Sequence, residues 1–401
     1  MFFHSEALDI KKYFFRKKDI YCHFIIFLLT RSVFVIKCSY KNFLFIKDVF
    51  IMKKNLVIIG YGGMGGWHAD HARNSDVVNL LGVYDIDPKR TLVARERGIF
   101  AYDSLEDVLN DERVDLVTVA TPNNHHCELV KKALRAGKNV ICEKPVALNT
   151  DELKEMIAVS KETGKLFTVH QNRRWDAEYL MMKEVYDSGK LGDVFGIQSI
   201  VYGCRGIPGD WRGHKQFGGG MILDWGVHLI DQILCIVGNL KITSLYCRCE
   251  HVTNYEVDDG FKLDMHFENG LVARVEVGTS HFIVLPRFYM AGENGSAIIP
   301  DWNQNCKIVA CTNWNAGEAV PIVTAAGLTK TMAPRNADSI ESSEIIKPES
   351  DVHDFYRNVV RSIDGEETQM VTHAQLLRVM RIMEACFESD RLGQVVKFED
   401  Q

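Results

Sequence analysis

Asp224 and His228 stand four residues apart in a glycine-led apolar stretch, Gly218-Gly219-Gly220-Met221-Ile222-Leu223-Asp224-Trp225-Gly226-Val227-His228. On a helix that spacing puts both side chains on one face. A carboxylate that orients an imidazole is a general acid/base pair suited to neutral pH. A first-turn aspartate and an ordinary core histidine would leave the same trace. Lys144 ends a short apolar run and precedes Pro145, which restricts it to extended backbone. An ammonium fixed there can offset developing negative charge, although a lysine before a proline is also common on surfaces. No third ligand stands at useful spacing from the Asp–His pair, so no metal is expected.

Glycines carry the second signal. Leu56-Val57-Ile58-Ile59 reads as a buried parallel strand and runs into Gly60-Tyr61-Gly62-Gly63-Met64-Gly65. Residues 67–73 have helical potential. A second strand, 79–84, ends in Asp85, twenty residues past Gly65. Strand, glycine turn and helix in this order make a dinucleotide-binding unit. Gly60 permits the tight turn, Gly62 lets backbone approach a pyrophosphate, and Gly65 lets helix and strand pack. Gly63 and Met64 share that turn, where free N–H groups and the helix dipole attract phosphate. Asp85 suits ribose hydroxyls and repels a 2′-phosphate, so NAD is expected over NADP. A structural turn with a solvated aspartate is the plainer alternative.

The elements that must position these groups follow an α/β rhythm. A helix capped by Ser104 leads to a strand at 114–120 and the loop Thr121-Pro122-Asn123-Asn124-His125-His126. Thr121, Asn123 and His125 are expected beside the cofactor, at the carboxyl end of a strand. A helix at 127–136 and a strand at 139–142 deliver Glu143-Lys144-Pro145, and a helix at 150–163 and a strand at 166–170 follow. After Gln171-Asn172-Arg173-Arg174-Trp175-Asp176 and a helix at 179–188 the pattern changes. Residues 194–202, 243–252, 260–268 and 271–280 read as strands, with Asn269-Gly270 a hairpin signal. The expected fold is an α/β Rossmann domain with a doubly wound parallel sheet, residues 53–172. An α+β domain with an open, mostly antiparallel sheet follows, residues 173–401. Residues 313–348 read as loop. Amphipathic helices at 351–363 and 372–389 pack at the junction.

Bulk properties agree. The 401 residues exceed one ordinary core. A net charge of -6 excludes a general nucleic-acid binder. The 11 cysteines form no Cys-x-x-Cys pair, so a reduced, mostly buried set is expected. Residues 1–51 differ, with nine Lys/Arg against four Asp/Glu. Their best apolar run, 24–36, is interrupted by Arg31 and falls short of the roughly 20 residues a membrane span needs. Met52-Lys53-Lys54-Asn55 reads as a natural start. Residues 1–51 are therefore expected to be an unstructured extension or a start-site artefact, with no membrane partner and a cytoplasmic location.

From about Lys54 onward the chain resembles the Gfo/Idh/MocA oxidoreductases. The strand with GYGGMG, the TPNNH loop, the EKP tripeptide, QNRRWD and GGGMILDWGVHLIDQ carry the resemblance in order. It implies an active site between the two domains and transfer of hydride between NAD and a sugar, inositol or similar polyol. By resemblance, Glu143 and Lys144 border the nicotinamide, and Lys144, Asp224 and His228 bind substrate hydroxyls and move the proton. Arg173, Trp175, Trp211, Arg212, His214 and Lys215 are expected near the cleft. The open sheet implies a dimer or tetramer. Two other readings stay open: a glycosidase that oxidises its sugar transiently with bound NAD, and a non-catalytic NAD-binding regulator.

Overall fold

A computed structural model describes residues 53–315 and 320–400. Before these, only short strand segments between Lys12 and Phe34 are described, paired in antiparallel hairpins. Otherwise the expectation for residues 1–51 lies outside the described residues. Met1–Ile51 and Met52–Gln401 form separate units, and all that follows concerns the second.

Its first sheet is built from β1 (Lys54–Ile59), β2 (Val78–Tyr84), β3 (Leu116–Val119), β4 (Asn139–Cys142) and β5 (Phe167–Val169). All four pairings are parallel, in the order β5-β4-β3-β1-β2. Every residue of β3 is buried, as a strand covered on both faces requires. Chain order reverses between β1 and β3, so a crevice opens at their carboxyl ends. The doubly wound parallel sheet expected from the sequence is borne out. Helices α1 (Gly63–Arg73), α3 (Leu105–Asn110), α4 (His126–Arg135) and α5 (Thr150–Thr163) connect the strands. A further helix, α2 (Pro88–Glu96), was not anticipated. Ala94 alone is buried along it, so it has almost no apolar period; Asp87, accepting from the Lys89 N–H at 2.9 Å, and Pro88 start it.

After α6 (Ala177–Asp187) comes a nine-stranded sheet. Its strands are β6 (Val194–Tyr202), β7 (Ile242–Glu250), β8 (Gly260–Phe267), β9 (Val272–Gly278), β10 (Phe288–Gly292), β11 (Gly295–Ile299) and β12 (Cys306–Cys311). A small hairpin, β13 (Ile322–Thr324) with β14 (Gly327–Thr329), stands apart, and β15 (Ile340–Ile345) and β16 (Val396–Lys397) are the sheet's two edges. The order is β15-β12-β11-β10-β6-β9-β8-β7-β16, and only β6 and β9 run parallel. The mostly antiparallel second sheet is thus also borne out. The loop expected at 313–348 is corrected: β15 pairs with β12 along six residues. Its sequence, IESSEI, has no fully buried position, so it carried no apolar alternation to read.

Helix α7 (Val227–Val237) lies in the core, with ten of its eleven residues buried. The segment Lys215–Val237 is apolar enough to cross a membrane by composition, but 83% of that window is buried in protein. Helices α8 (His353–Ile363) and α9 (His373–Leu392) follow; α9 packs against β7 and α5, and its His373 Nε2 lies 2.9 Å from the Phe167 carbonyl of β5. Glu384 on α9 accepts the main-chain N–H and the hydroxyl of Thr150 at the start of α5, both at 2.6 Å. The described cysteines are all free thiols, five of them buried.

Candidate active site

The glycine turn sits where β1 meets β3. Gly60 has φ +94°, and a Cβ there would lie 2.5 Å from the Ala120 carbonyl. A Cβ on Gly65 would lie 1.9 Å from the Gly60 carbonyl, so strand and helix touch backbone to backbone. Gly62 and Gly63 differ, since a Cβ on either meets nothing within 4 Å. No side chain caps α1 and no acidic residue occupies its first turn, which includes Met64. That combination of open backbone and uncapped helix N-terminus fits a pyrophosphate. Asp85, at the end of β2, accepts the Tyr61 N–H at 2.6 Å and the Asp87 N–H at 2.8 Å. Its carboxylate is fixed against the turn.

The loops after β3 and β4 are tied together by a residue the sequence reading passed over. His126 places its two ring nitrogens 2.9 Å from the carbonyls of Thr121 and Pro145. Its neighbour His125, the one singled out, is exposed. Asn123 is buried and donates to the Gly218 carbonyl at 2.9 Å, joining the Thr121 loop to the glycine-rich stretch.

Lys144 reaches across to that stretch. Its Nζ lies 2.9 Å from both Oδ1 and the main-chain oxygen of Asp224. Asp224 sits in a π-helical turn, Ile222–Gly226, that leads into α7; such turns often mark functional sites. Its second oxygen receives Arg212 Nε at 3.2 Å. Burial pushes the Asp224 carboxyl up, but Lys144 and Arg212 outweigh it and hold it below the usual carboxylate range. The expected Asp224–His228 pair is corrected here. His228 Nδ1 is buried without a hydrogen-bond partner, because the carboxylate is held by two full cations. Burial, then Lys144 and Arg173, push the His228 imidazole well below its ordinary range, so it is neutral.

Arg173 lies over the Trp225 ring at 4.1 Å and 5.7 Å from the Trp302 ring, the two indoles being 6.1 Å apart, and it pairs with Asp176 at 2.9 Å. Arg212 stacks on Trp211 at 4.5 Å. The other expected cleft residues lie differently. Trp175 packs edge-on against Phe355 at 6.0 Å. His214 and Lys215 are exposed and engage Glu256. Glu143 is buried behind Lys144: its Oε1 accepts His68 Nε2 at 2.7 Å and His170 Nδ1 at 2.8 Å, and its Oε2 accepts the Lys144 N–H at 3.1 Å. Arg174 makes a two-pronged ion pair with Asp231 on α7, at 2.7 and 2.6 Å, that fixes the 171–176 segment. Neither member of that pair was anticipated.

The fold agrees with comparisons to known proteins. Residues 54–171 match the family described as "Oxidoreductase family, NAD-binding Rossmann fold", and residues 179–298 match the Gfo/Idh/MocA C-terminal domain. The structure resembles that of an NAD-binding protein from Listeria innocua, with 42% identity, TM-score 0.83, and coverage of 86% of this chain and 99% of that one. The chain is 27% identical to scyllo-inositol 2-dehydrogenase (NADP(+)) IolW of Bacillus subtilis, over 85% of this chain and 95% of that one. An uncharacterized oxidoreductase of Schizosaccharomyces pombe, C115.03, is 36% identical over 42% of this chain; there the match spans 47%, about half, of the relative's length. The chain belongs to the Gfo/Idh/MocA oxidoreductase family.

Proposed function

We propose that the protein is an NAD-dependent oxidoreductase that moves a hydride between nicotinamide and a secondary alcohol or ketone carbon of a sugar, inositol or glycoside. The observation that carries this reading is the Lys144 ammonium seated on the Asp224 carboxylate, beside the neutral His228. Bound NAD supplies the hydride acceptor, and Gly60, Gly62, Gly63, Met64, Gly65 and Asp85 are the residues that hold it. The fixed Asp85 carboxylate favours NAD over NADP, although the B. subtilis relative is named for NADP(+).

The remaining work belongs to the chain. Removing hydride from an alcohol carbon requires removing the hydroxyl proton, and neutral His228 is the base for it. Lys144 places positive charge where the alkoxide forms. Asp224 keeps Lys144 and Arg212 aimed, and Arg173 with Trp225 makes a mixed cationic and aromatic wall for a polyol. The proposal takes residues 53–172 as the nucleotide domain and 173–401 as the substrate domain. It includes a cytoplasmic dimer or tetramer, which the exposed apolar run Phe282, Ile283 and Val284 supports.

Purified protein supplied with NAD and a panel of inositols, hexoses and glycosides tests the reading. Formation of NADH with a polyol is the expected outcome. Release of an aglycone without net NADH would make the protein a glycosidase instead. NAD binding with no turnover on any polyol overturns the enzymatic reading.

A further inference from the structure

Trp302 lies on the loop between β11 and β12. Tryptophans are highly buried on average, yet this one is 39% exposed. Its ring is nevertheless held. The Arg287 guanidinium lies 4.8 Å from the Trp302 ring centroid, and Arg287 is only 2% exposed. The cation therefore backs the indole from the protein interior. Trp225 stands 6.1 Å from Trp302, tilted by 56°. Arg173 covers Trp225 at 4.1 Å and lies 5.7 Å from Trp302. Two indoles and one guanidinium thus form a corner.

That corner adjoins the reacting groups. Trp225 directly follows Asp224, the residue on which Lys144 is seated. The Trp225 ring centroid is 6.4 Å from that of His228. The corner is also fixed in place. Arg287 donates to Ser199 Oγ at 2.7 Å and to Gln232 Oε1 at 3.0 Å, and Gln232 Nε2 donates to the Arg173 carbonyl at 2.7 Å. One buried arginine so supports the Trp302 ring and, through Gln232, the main chain of the residue that covers Trp225. An exposed aromatic already immobilised costs a ligand little to order.

We propose that Trp302 is a specificity-determining residue, whose open indole surface receives the C–H face of a ring-shaped substrate. The idea rests on the reading of Lys144, Asp224 and His228 as the reacting site, and adds a residue that reading did not use. In a cyclic polyol the hydroxyls crowd the rim and leave C–H groups on the faces. Such a ring offers a polar edge to Lys144 and Arg173 and an apolar face to an indole. Among the described residues, the Arg173 guanidinium gives only Nη1 to a partner, Asp176, so its other N–H groups are open to hydroxyls. An open-chain polyol presents no comparable face. Trp302 makes and breaks no bond. Its contact is the same in the bound substrate and in the transition state, so it acts on KM and not on kcat.

Trp302→Ala and Trp302→Phe test the assignment, at saturating NAD, with myo-inositol, scyllo-inositol, D-glucose, methyl glucoside and open-chain sorbitol as probes. In Trp302→Ala, KM for the cyclic probes that the wild type oxidises is expected to rise about tenfold, with kcat within about twofold. Trp302→Phe keeps a smaller aromatic face and is expected to recover most of that loss. An unchanged KM in Trp302→Ala overturns the assignment, as does a loss confined to kcat. A loss of equal size on sorbitol overturns the selectivity for rings. Tryptophan fluorescence gives a second readout that does not depend on turnover. The change produced by a cyclic probe in the NAD-loaded wild type is expected to shrink in Trp302→Phe; a change of full size overturns the assignment. The two levels separate cleanly. No NADH from any probe with the wild type defeats the underlying reading of the site, and Trp302 falls with it. An active wild type beside a Trp302→Ala of normal KM defeats Trp302 alone.

Discussion

Lys144 Nζ stands 2.9 Å from both the carboxylate and the main-chain oxygen of Asp224, a residue 80 positions away on another sheet's helix. The pair joins the end of a parallel strand to a π-helical turn. If it serves the chemistry proposed, Lys144→Ala and His228→Ala each lower turnover by about 10²-fold or more. NAD affinity, followed by fluorescence titration, stays near wild type, because neither side chain belongs to the glycine turn. Steady-state kinetics on the substrate found in the polyol screen check this.

The glycine turn separates folding from binding. Gly65→Ala puts a methyl 1.9 Å from the Gly60 carbonyl, so melting temperature and NAD binding both fall. Gly63→Ala meets nothing within 4 Å of protein, so its melting temperature should hold while its NAD dissociation constant rises. About tenfold is expected, the cost of one lost phosphate approach, near 1.4 kcal/mol. Thermal melts and NAD titration of both variants decide it.

Asp85→Asn keeps an acceptor for the Tyr61 N–H, gives up the one for the Asp87 N–H, and removes the charge. The NAD-to-NADP ratio of kcat/KM is expected to fall roughly tenfold, because the charge is what a 2′-phosphate would meet. An unchanged ratio would mean that discrimination lies elsewhere.

Stability should fall on mild acidification. His68, His126 and His228 are each pushed below 6.5, first by burial. Above that value folded and unfolded chains are both neutral at these rings. Below it the unfolded chain binds protons that the native rings refuse, so stability is lost as pH falls from 6.5 towards the depressed folded values. The slope approaches about 1.4 kcal/mol per pH unit for each ring involved. Urea melts at pH 7 and pH 5 measure it, and His126→Phe should flatten the slope.

Legibility from sequence followed how local the signal was. β4 and β6 were read at their full extents because apolar run and alternation are local patterns. The positions of the glycines, Asp85 and Lys144 at strand ends were legible because a turn or a proline stands beside each. Helix α2 and strand β15 were missed for want of an apolar period. The Asp–His pairing went wrong for a different reason. Spacing can put two residues on one face, but it says nothing of Lys144 and Arg212 arriving from elsewhere to claim the carboxylate. The hydrogen-bond partners of Glu143, His68 and His170, lie 75 and 27 residues away in sequence. His68, His170 and the Arg174–Asp231 pair have no spacing rule at all; only the tertiary structure pairs them.

The anchoring of α5 by Glu384 bears on how the molecule is made. Thr150 and Glu384 are separated by 234 residues, and the contacts of His68 with Tyr356 and of Phe167 with His373 span similar distances. During synthesis, the nucleotide-binding half therefore leaves the ribosome with its first helix, its last strand and its α5 cap still lacking partners. Those gaps close only when α8 and α9 emerge, so a nascent chain stalled before α8 should stay protease-sensitive in the half that was translated first.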